Sequence, residues 1–359
     1  MQSLGIMTND LSKEHLYFTA IAKEAIKLNL NVYRFTPQAI DSTKKMIQGE
    51  CFHRKDHYWT KRLFPVPEFI YDRTFHGLTR QSNETRKNIN WLKQDTNFIG
   101  YGLPGKWEVY QTLKEDAFLQ AFLPPTEKLQ SPDDAAAMLT QFSSIILKPE
   151  YGSRGSGIFV LTKMEKGTEV SMQKQAGRYK RSFTTEEELN KWLERLLTKY
   201  HYLGQPFLTL FTQEQEPFDI RSLLQKNEEN NWIERGRGIR KGKKDGITSN
   251  LATGGRAYSY DSYLDTLSIA AARQLEPMIE RIYQTLPVAL ETKFNRLFEL
   301  GVDLGRDQDG KVWILDINSK PGRKIIEKLH PEQLTNIFSA PGLFCKYLAS
   351  ELSKAGQSS

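Results

Sequence analysis

The sequence predicts a mixed α/β and α+β protein, on three observations. An apolar strand at Leu4-Gly5-Ile6-Met7 is followed by Phe18, Ile21, Ala22, Ala25, Ile26 and Leu28 at helical spacing, and then by Val32-Tyr33-Arg34-Phe35. Strand, helix and strand in that order favour a parallel pair. Further on, residues 202–210, 218–225 and 232–240 alternate as antiparallel strands do, and residues 297–318 read as a hairpin turning at Asp309-Gly310.

The chain has 359 residues, 39% hydrophobic and 26% charged, which suits globular units with a large core. No run approaches the roughly 18 apolar residues of a membrane span, and Asp10, Lys13, Glu14, Lys23 and Glu24 interrupt the first thirty residues. Neither a membrane protein nor a classically secreted one is expected. Cys51 and Cys345 are the two cysteines, too few for a disulfide framework or a four-cysteine zinc site, so a reducing, cytoplasmic compartment is expected. Fifty Lys and Arg against 43 Asp and Glu give a net charge of +7, but the basic residues are scattered among acids, and nucleic acid is not the expected partner.

Taken in order, Phe69-Ile70-Tyr71 with Asp72-Arg73 forms the next strand after the Pro65-Val66-Pro67 break, and a polar helical stretch runs through Trp91. Gly100-Tyr101-Gly102-Leu103-Pro104-Gly105 leaves little for a regular element and reads as a connector. A helix is expected from Lys106 to about Phe122, a second after the cap Ser131-Pro132-Asp133-Asp134, and strands over 144–148 and 158–161. A helix over 186–201 precedes the alternating strands, of which 202–210 is the first. A loop rich in Gly, Lys and Ser spans about 241–256, and one long helix is expected over about 261–285.

Two stretches carry candidate chemistry. The first is a strand ending in Lys148, a loop with Gly152, Ser153, Arg154, Gly155, Ser156 and Gly157, then another strand. Backbone N–H groups of such a loop can fold over phosphate oxygens with Lys148 beside them as a cation. It is not a Walker A loop, because the lysine precedes the glycines and a strand follows. A plain glycine-rich hairpin with a solvated lysine is the competing reading. In the second stretch, Asp316 and Asn318 stand two apart on a strand and so share a face, which Asp303 on the partner strand can join. Three hard oxygens on one sheet face suit Mg²⁺, against the alternative of exposed hairpin ends.

Asp219 and Arg221 likewise share a face, and with Arg240 they form either an arginine fork for a carboxylate or phosphate or a structural salt bridge. Cys51, His53 and His57 lie close in sequence but lack a convincing fourth zinc ligand, and no Gly-x-Ser-x-Gly elbow is present. The basic run from Arg235 to Lys244 reads as a polyanion contact or as a loop beside a nucleotide cleft.

The order of these pieces resembles the ATP-grasp superfamily: Lys106 at a helix start, Lys148 before the glycine loop, Asp219-Ile220-Arg221, Arg240, then Gly301-Val302-Asp303 and Asp316-Ile317-Asn318-Ser319-Lys320-Pro321-Gly322. Asn250-Leu251-Ala252-Thr253-Gly254-Gly255, the N-terminal Leu4-Gly5-Ile6-Met7-Thr8 and Tyr71-Asp72-Arg73 look more narrowly like YheC/YheD-type endospore coat-associated proteins. The resemblance extends from Leu4 to about Arg323.

It implies an ATP-grasp fold with an N-terminal α/β domain at 1–103, a central lobe at 104–201, a C-terminal lobe at 202–330 and a helical tail at 331–359. It implies that Lys106 and Lys148 contact nucleotide phosphates, that Gly152 to Gly157 close over them, and that Gln205 lies on the hinge strand that meets adenine. Arg221 and Arg240 would steady the transferring phosphoryl group or the acceptor carboxylate. Asp303, Asp316 and Asn318 match the ligands of Mg²⁺, or of Mn²⁺ in its place, although the middle position is more usually Glu. The activity implied is ATP-dependent ligation of an unidentified carboxylate and amine, with spore coat proteins as further partners and a cytoplasmic or coat-associated location. The alternative is a nucleotide-binding or structural coat protein that keeps the fold without turnover.

Overall fold

In the computed structural model, which describes residues 2–75, 83–152, 157–174, 177–212, 214–251 and 254–357, the secondary structure forms three sheets. The first begins with Ser3–Thr8 (β1), His15–Lys27 (α1) and Asn31–Phe35 (β2), with β1 and β2 parallel as the strand–helix–strand pattern requires. Ile40–Asp41 (β3), Met46–Phe52 (β4) and Trp59–Pro65 (β5) follow, then Phe69–Arg73 (β6), Asn83–Asp95 (α2) and Asn97–Phe98 (β7). The order β2-β1-β6-β7 is parallel, and β4 extends it antiparallel on β2 while carrying β3 and β5. Sequence pattern assigns no strand between Phe35 and Pro65. On the edge strand β5, Lys61, Arg62 and Leu63 are all exposed, so no apolar alternation marks it.

The second sheet follows Lys106–Lys114 (α3) and comprises Glu127–Leu129 (β8), Pro132–Phe142 (α4), Ser144–Pro149 (β9), Phe159–Lys163 (β10), Thr168–Lys174 (β11), Gly177–Phe183 (β12), Glu186–Lys199 (α5) and Tyr202–Pro206 (β13). Its order is β12-β11-β10-β9-β13-β8, antiparallel throughout. The helix expected to reach Phe122 ends at Lys114, because the Asp116 carboxylate accepts the Phe118 and Leu119 amides at 2.9 and 2.8 Å and starts a separate 3₁₀ turn, Leu119–Phe122. The strand expected to reach Leu210 ends at Pro206. The apolar sides of α4 and α5 cover one face of this sheet, burying Ile145, Leu147, Leu161, Val170 and Tyr202.

The third sheet holds Phe218–Lys226 (β14), Trp232–Lys241 (β15), Arg256–Tyr258 (β16), Glu299–Arg306 (β17) and Val312–Asn318 (β18) in the order β16-β15-β14-β17-β18, also antiparallel. Between β16 and β17 the single helix expected is two, Tyr260–Leu264 (α6) and Ile269–Lys293 (α7). The break follows from capping: Ser268 accepts the Ala271 amide and opens α7, which continues through Pro277 and Pro287 past the expected end. One face of α7 buries Leu275, Ile279, Ile282, Leu286 and Leu290 against Ile220, Leu224, Ile239, Leu300, Val302 and Leu304. Lys324–Leu329 (α8) and Leu334–Gln357 (α9) complete the chain, and α9 packs Ile337, Ala340, Phe344 and Leu348 into the core of the first sheet beside Phe18 and Ile21 of α1.

Candidate active site

Each of the second and third sheets has one face under helices and one face turned toward a cleft. On β9, Ile145 and Leu147 are buried while Ile146 and Lys148 alternate to the other side. Leu203 and Gln205 of β13 stand opposite Lys148 and Ile146, so all four share the cleft face. Burial, with a smaller push from the nearby Lys106, lowers the Lys148 ammonium from its ordinary range to about 8 against the pull of Asp316. Its Nζ donates across the cleft to the Leu315 carbonyl of β18 at 3.3 Å.

On the third sheet, the face opposite α7 is charged. Asp219 stands opposite Arg240, Arg221 opposite Asp303, and Asp303 opposite Asp316, with Asn318 two residues further along the same strand. Arg240 holds both oxygens of Asp219 from Nε and Nη2 at 2.7 Å, and its Nη2 lies 2.8 Å from Asp303. Arg221 Nη1 donates to the other oxygen of Asp303, and Ser249 Oγ donates to Asp219. Lys106, at the first turn of α3, donates to Asp316, which also accepts the Asn318 side-chain amide at 3.1 Å. Gly301 makes room for this: a Cβ there would lie 2.4 Å from Arg221 Nη2 and 2.8 Å from Pro321.

The two buried aspartates differ electrostatically. For Asp303, burial pushes the carboxyl up, but the Arg221 and Arg240 charges together outweigh it and hold it below the usual range. Asp219 has Arg240 and the Ser249 hydroxyl but also the Asp303 charge, so burial prevails and raises it. Burial likewise acts to lower Arg240, but the two aspartates outweigh it and raise that guanidinium, which stays charged at any working pH.

The structure therefore brings Lys106, Lys148, Arg221, Arg240, Asp303, Asp316 and Asn318 to one cleft. Gln205 shares the cleft face, where its Nε2 donates to Thr126 Oγ1 at 2.8 Å. Gly152 and Gly157 flank the glycine loop with φ of 149° and 77°, values that favour glycine, and the Gly157 carbonyl accepts Tyr202 Oη at 2.9 Å. Ser153, Arg154, Gly155 and Ser156 lie outside the described residues. The donor set suits Mg²⁺ in kind, with two carboxylates and an amide on one face. Among the described residues no three His, Cys, Asp or Glu side chains converge as a metal cluster, so Asn318, water and phosphate oxygens would complete any such site.

Sequence reasoning missed three groups. Lys128 faces the cleft from β8, opposite Leu203, and pairs with the buried Glu150 at 3.3 Å. Lys320 donates to Asp72 and to the Thr74 carbonyl at 2.6 and 2.8 Å. Arg73, fully buried, reaches Glu299 at 2.7 Å, Glu14 at 3.1 Å and the Pro321 carbonyl at 3.2 Å, tying the end of β6 to the segment after Asn318. A signal was available for the last two, since both lie in runs that the family resemblance singles out. Lys128 sits in a three-residue strand with none.

Residues 95–348 match the model of a family described as YheC/D like ATP-grasp. The chain is 33% identical over 358 residues to the endospore coat-associated protein YheC of Bacillus subtilis (strain 168), covering 99% of this chain and 98% of that one. Among solved structures, the D-cycloserine synthetase DcsG superposes with a TM-score of 0.55 at 13% identity, over 97% of this chain and 99% of that chain. A Chryseobacterium gregarium RiPP-associated ATP-grasp ligase, in complex with ADP and a leader and core peptide, superposes with a TM-score of 0.51 at 13% identity, over 96% and 97%. These two likenesses establish the fold. No described helix is long and apolar enough to cross a membrane.

Proposed function

Because this chain belongs to the YheC/D-like ATP-grasp family, we propose that it is an ATP-dependent carboxylate–amine ligase working in the cleft between its second and third sheets. One observation carries the reading: two lysines from the second unit, Lys106 and Lys148, meet the acidic and arginine-rich face of the third sheet, with Lys148 donating directly to Leu315. The working division is 1–103, 104–201 and 202–330, with the tail 331–359.

In this scheme Lys106 and Lys148 exchange their present partners for ATP phosphate oxygens, beneath the 152–157 loop, and Gln205 lies beside the adenine. A buried ammonium that is costly without a polyanion becomes an asset with one. Asp303, Asp316 and Asn318 would hold Mg²⁺, which supplies neutralisation of the polyphosphate charge. Arg221 and Arg240, held in place by Asp303 and Asp219, orient the acceptor carboxylate. A carboxylate oxygen attacks the γ-phosphorus, the bond to the β-phosphate bridging oxygen breaks, and acyl phosphate and ADP result. An amine then attacks the acyl carbon, phosphate leaves, and the amine proton goes to solvent. Water exclusion by the closed cleft protects the acyl phosphate from hydrolysis.

The test is ADP release by the full chain with panels of carboxylates and amines, with hydroxylamine added to trap the acyl phosphate as a hydroxamate. Hydroxamate that depends on ATP and on the carboxylate supports the scheme. Nucleotide-dependent stabilisation without turnover across those panels would favour a binding or structural role. The closed ion-pair network, in which Lys106, Arg221 and Arg240 already have carboxylate partners, is the observation behind that second reading. Association with the endospore coat is proposed from the YheC relative alone.

A further inference from the structure

The cleft face of the second sheet does not end at Lys148. Register carries one row across it from Gln205 through Ile146, Val160 and Ser171 to Lys180 on β12. Arg178, two residues before Lys180, shares that face. Among the described residues β12 is the sheet's edge, pairing with β11 alone, and every residue from Arg178 to Ser182 is exposed. Arg178 Nη1 donates to the Asp245 carbonyl at 3.1 Å, which joins the β11–β12 hairpin to the loop bearing Lys243 and Lys244. Glu169 is the acid set against Lys180, at 3.1 Å, and against Arg178, at 3.8 Å. The rim of the cleft is therefore a basic surface built from two sheets.

From this surface we infer a docking site for an extended, acidic peptide segment of the acceptor substrate. Positive charge alone would serve any polyanion, but two features favour a peptide. The free backbone edge of β12 offers main-chain hydrogen bonds to an added strand. The exposed aromatic of β12, Tyr179, alternates to the face opposite Arg178 and Lys180, so this strand offers a nucleic-acid base no ring to stack on beside its cleft-side charges. Four strand spacings of about 4.8 Å separate a strand added outside β12 from β9, so about six extended residues link the docked segment to a carboxylate beside Lys148. This inference rests on the ligase reading for the fate of the peptide, though the docking itself does not.

The experiment measures fluorescence anisotropy of a labelled octaglutamate, an octalysine and a ten-base oligothymidylate with the full chain. The proteins compared are wild type, Arg178→Glu/Lys180→Glu, Lys180→Glu/Arg181→Glu and the remote control Lys61→Glu/Arg62→Glu. Expected is salt-sensitive binding of octaglutamate, weakened at least tenfold in both β12 variants and unchanged in the control. Thermal stabilisation by Mg-ATP is measured alongside and is expected to persist in all four. Octaglutamate binding that is absent, or equal in wild type and the β12 variants, overturns the site. Oligothymidylate binding as tightly, with the same loss in the variants, overturns the peptide assignment. A wild type that binds octaglutamate but ignores nucleotide leaves the docking site standing and removes the ligase reading instead.

Discussion

Replacing Lys148 by Met should produce two effects of opposite sign. In the free protein the ammonium is held from 10.5 down to about 8, chiefly by burial. At about 1.4 kcal/mol per pKa unit, that depression corresponds to about 3 kcal/mol of instability while the lysine is charged in both folded and unfolded chains. Methionine fills nearly the same volume without charge, and loses one hydrogen bond, to Leu315, of about 1 kcal/mol. The variant should therefore be more stable than wild type by about 2 kcal/mol at pH 7. Because the folded-state pKa is the lower one, the penalty is full below pH 8, shrinks as pH rises from 8 to 10.5, and is gone above that. Mg-ATP at about 100 times its dissociation constant should stabilise wild type by about 2.7 kcal/mol and the variant far less. Urea unfolding at pH 7 and pH 10, with and without nucleotide, reads both effects. A variant that is less stable at pH 7 and yet gains as much from nucleotide would refute both the buried-charge argument and the phosphate role.

Other substitutions test the rest of the network. Asp316→Asn should abolish the magnesium dependence of nucleotide stabilisation while leaving the fold intact, as followed by thermal unfolding with a chelator. Arg240→Ala leaves Asp219 in the interior without its cation and Asp303 with Arg221 alone, and should cost about 3–5 kcal/mol in urea unfolding, whereas Arg240→Lys should keep the fold and lose ADP release. Gly301→Ala pushes a methyl into Arg221 and Pro321 and should cost about 1–3 kcal/mol while displacing Arg221, seen as lost turnover at unchanged nucleotide affinity. Arg73→Met leaves Glu299 buried without its cation and should destabilise the chain by about 3–5 kcal/mol, read by the same unfolding assay.

How far the sequence reaches depends on the range of the interaction that fixes each feature. Local periodicity was enough for β1, α1 and β2, for the β17–β18 hairpin, and for the fact that Asp316 and Asn318 share a face, because alternation is a property of neighbouring residues. It misjudged α3 and the α6–α7 break, where a single side chain, Asp116 or Ser268, competes with the helix for backbone amides. It missed β5 and β12, where exposed polar strands are held by pairing with partners, and β11, whose buried positions mix Val170 with Ser171 and Gln173 and so carry no clear apolar signature.

Residue order also revealed the candidate lysines, arginines and acids, since their types and spacing are written in the chain. Their mutual pairing was not: Asp303 between Arg221 and Arg240, Lys106 on Asp316, and Arg73 on Glu299 join residues 63 to 226 positions apart. Long-range ion pairs depend on which strands become neighbours and how deeply they are buried. By itself the sequence determined which chemical groups this protein owns and which faces they occupy. Only the tertiary structure decided which charges neutralise one another, because the strength of a charge pair is set by distance and solvent exclusion, and both arise when the sheets close.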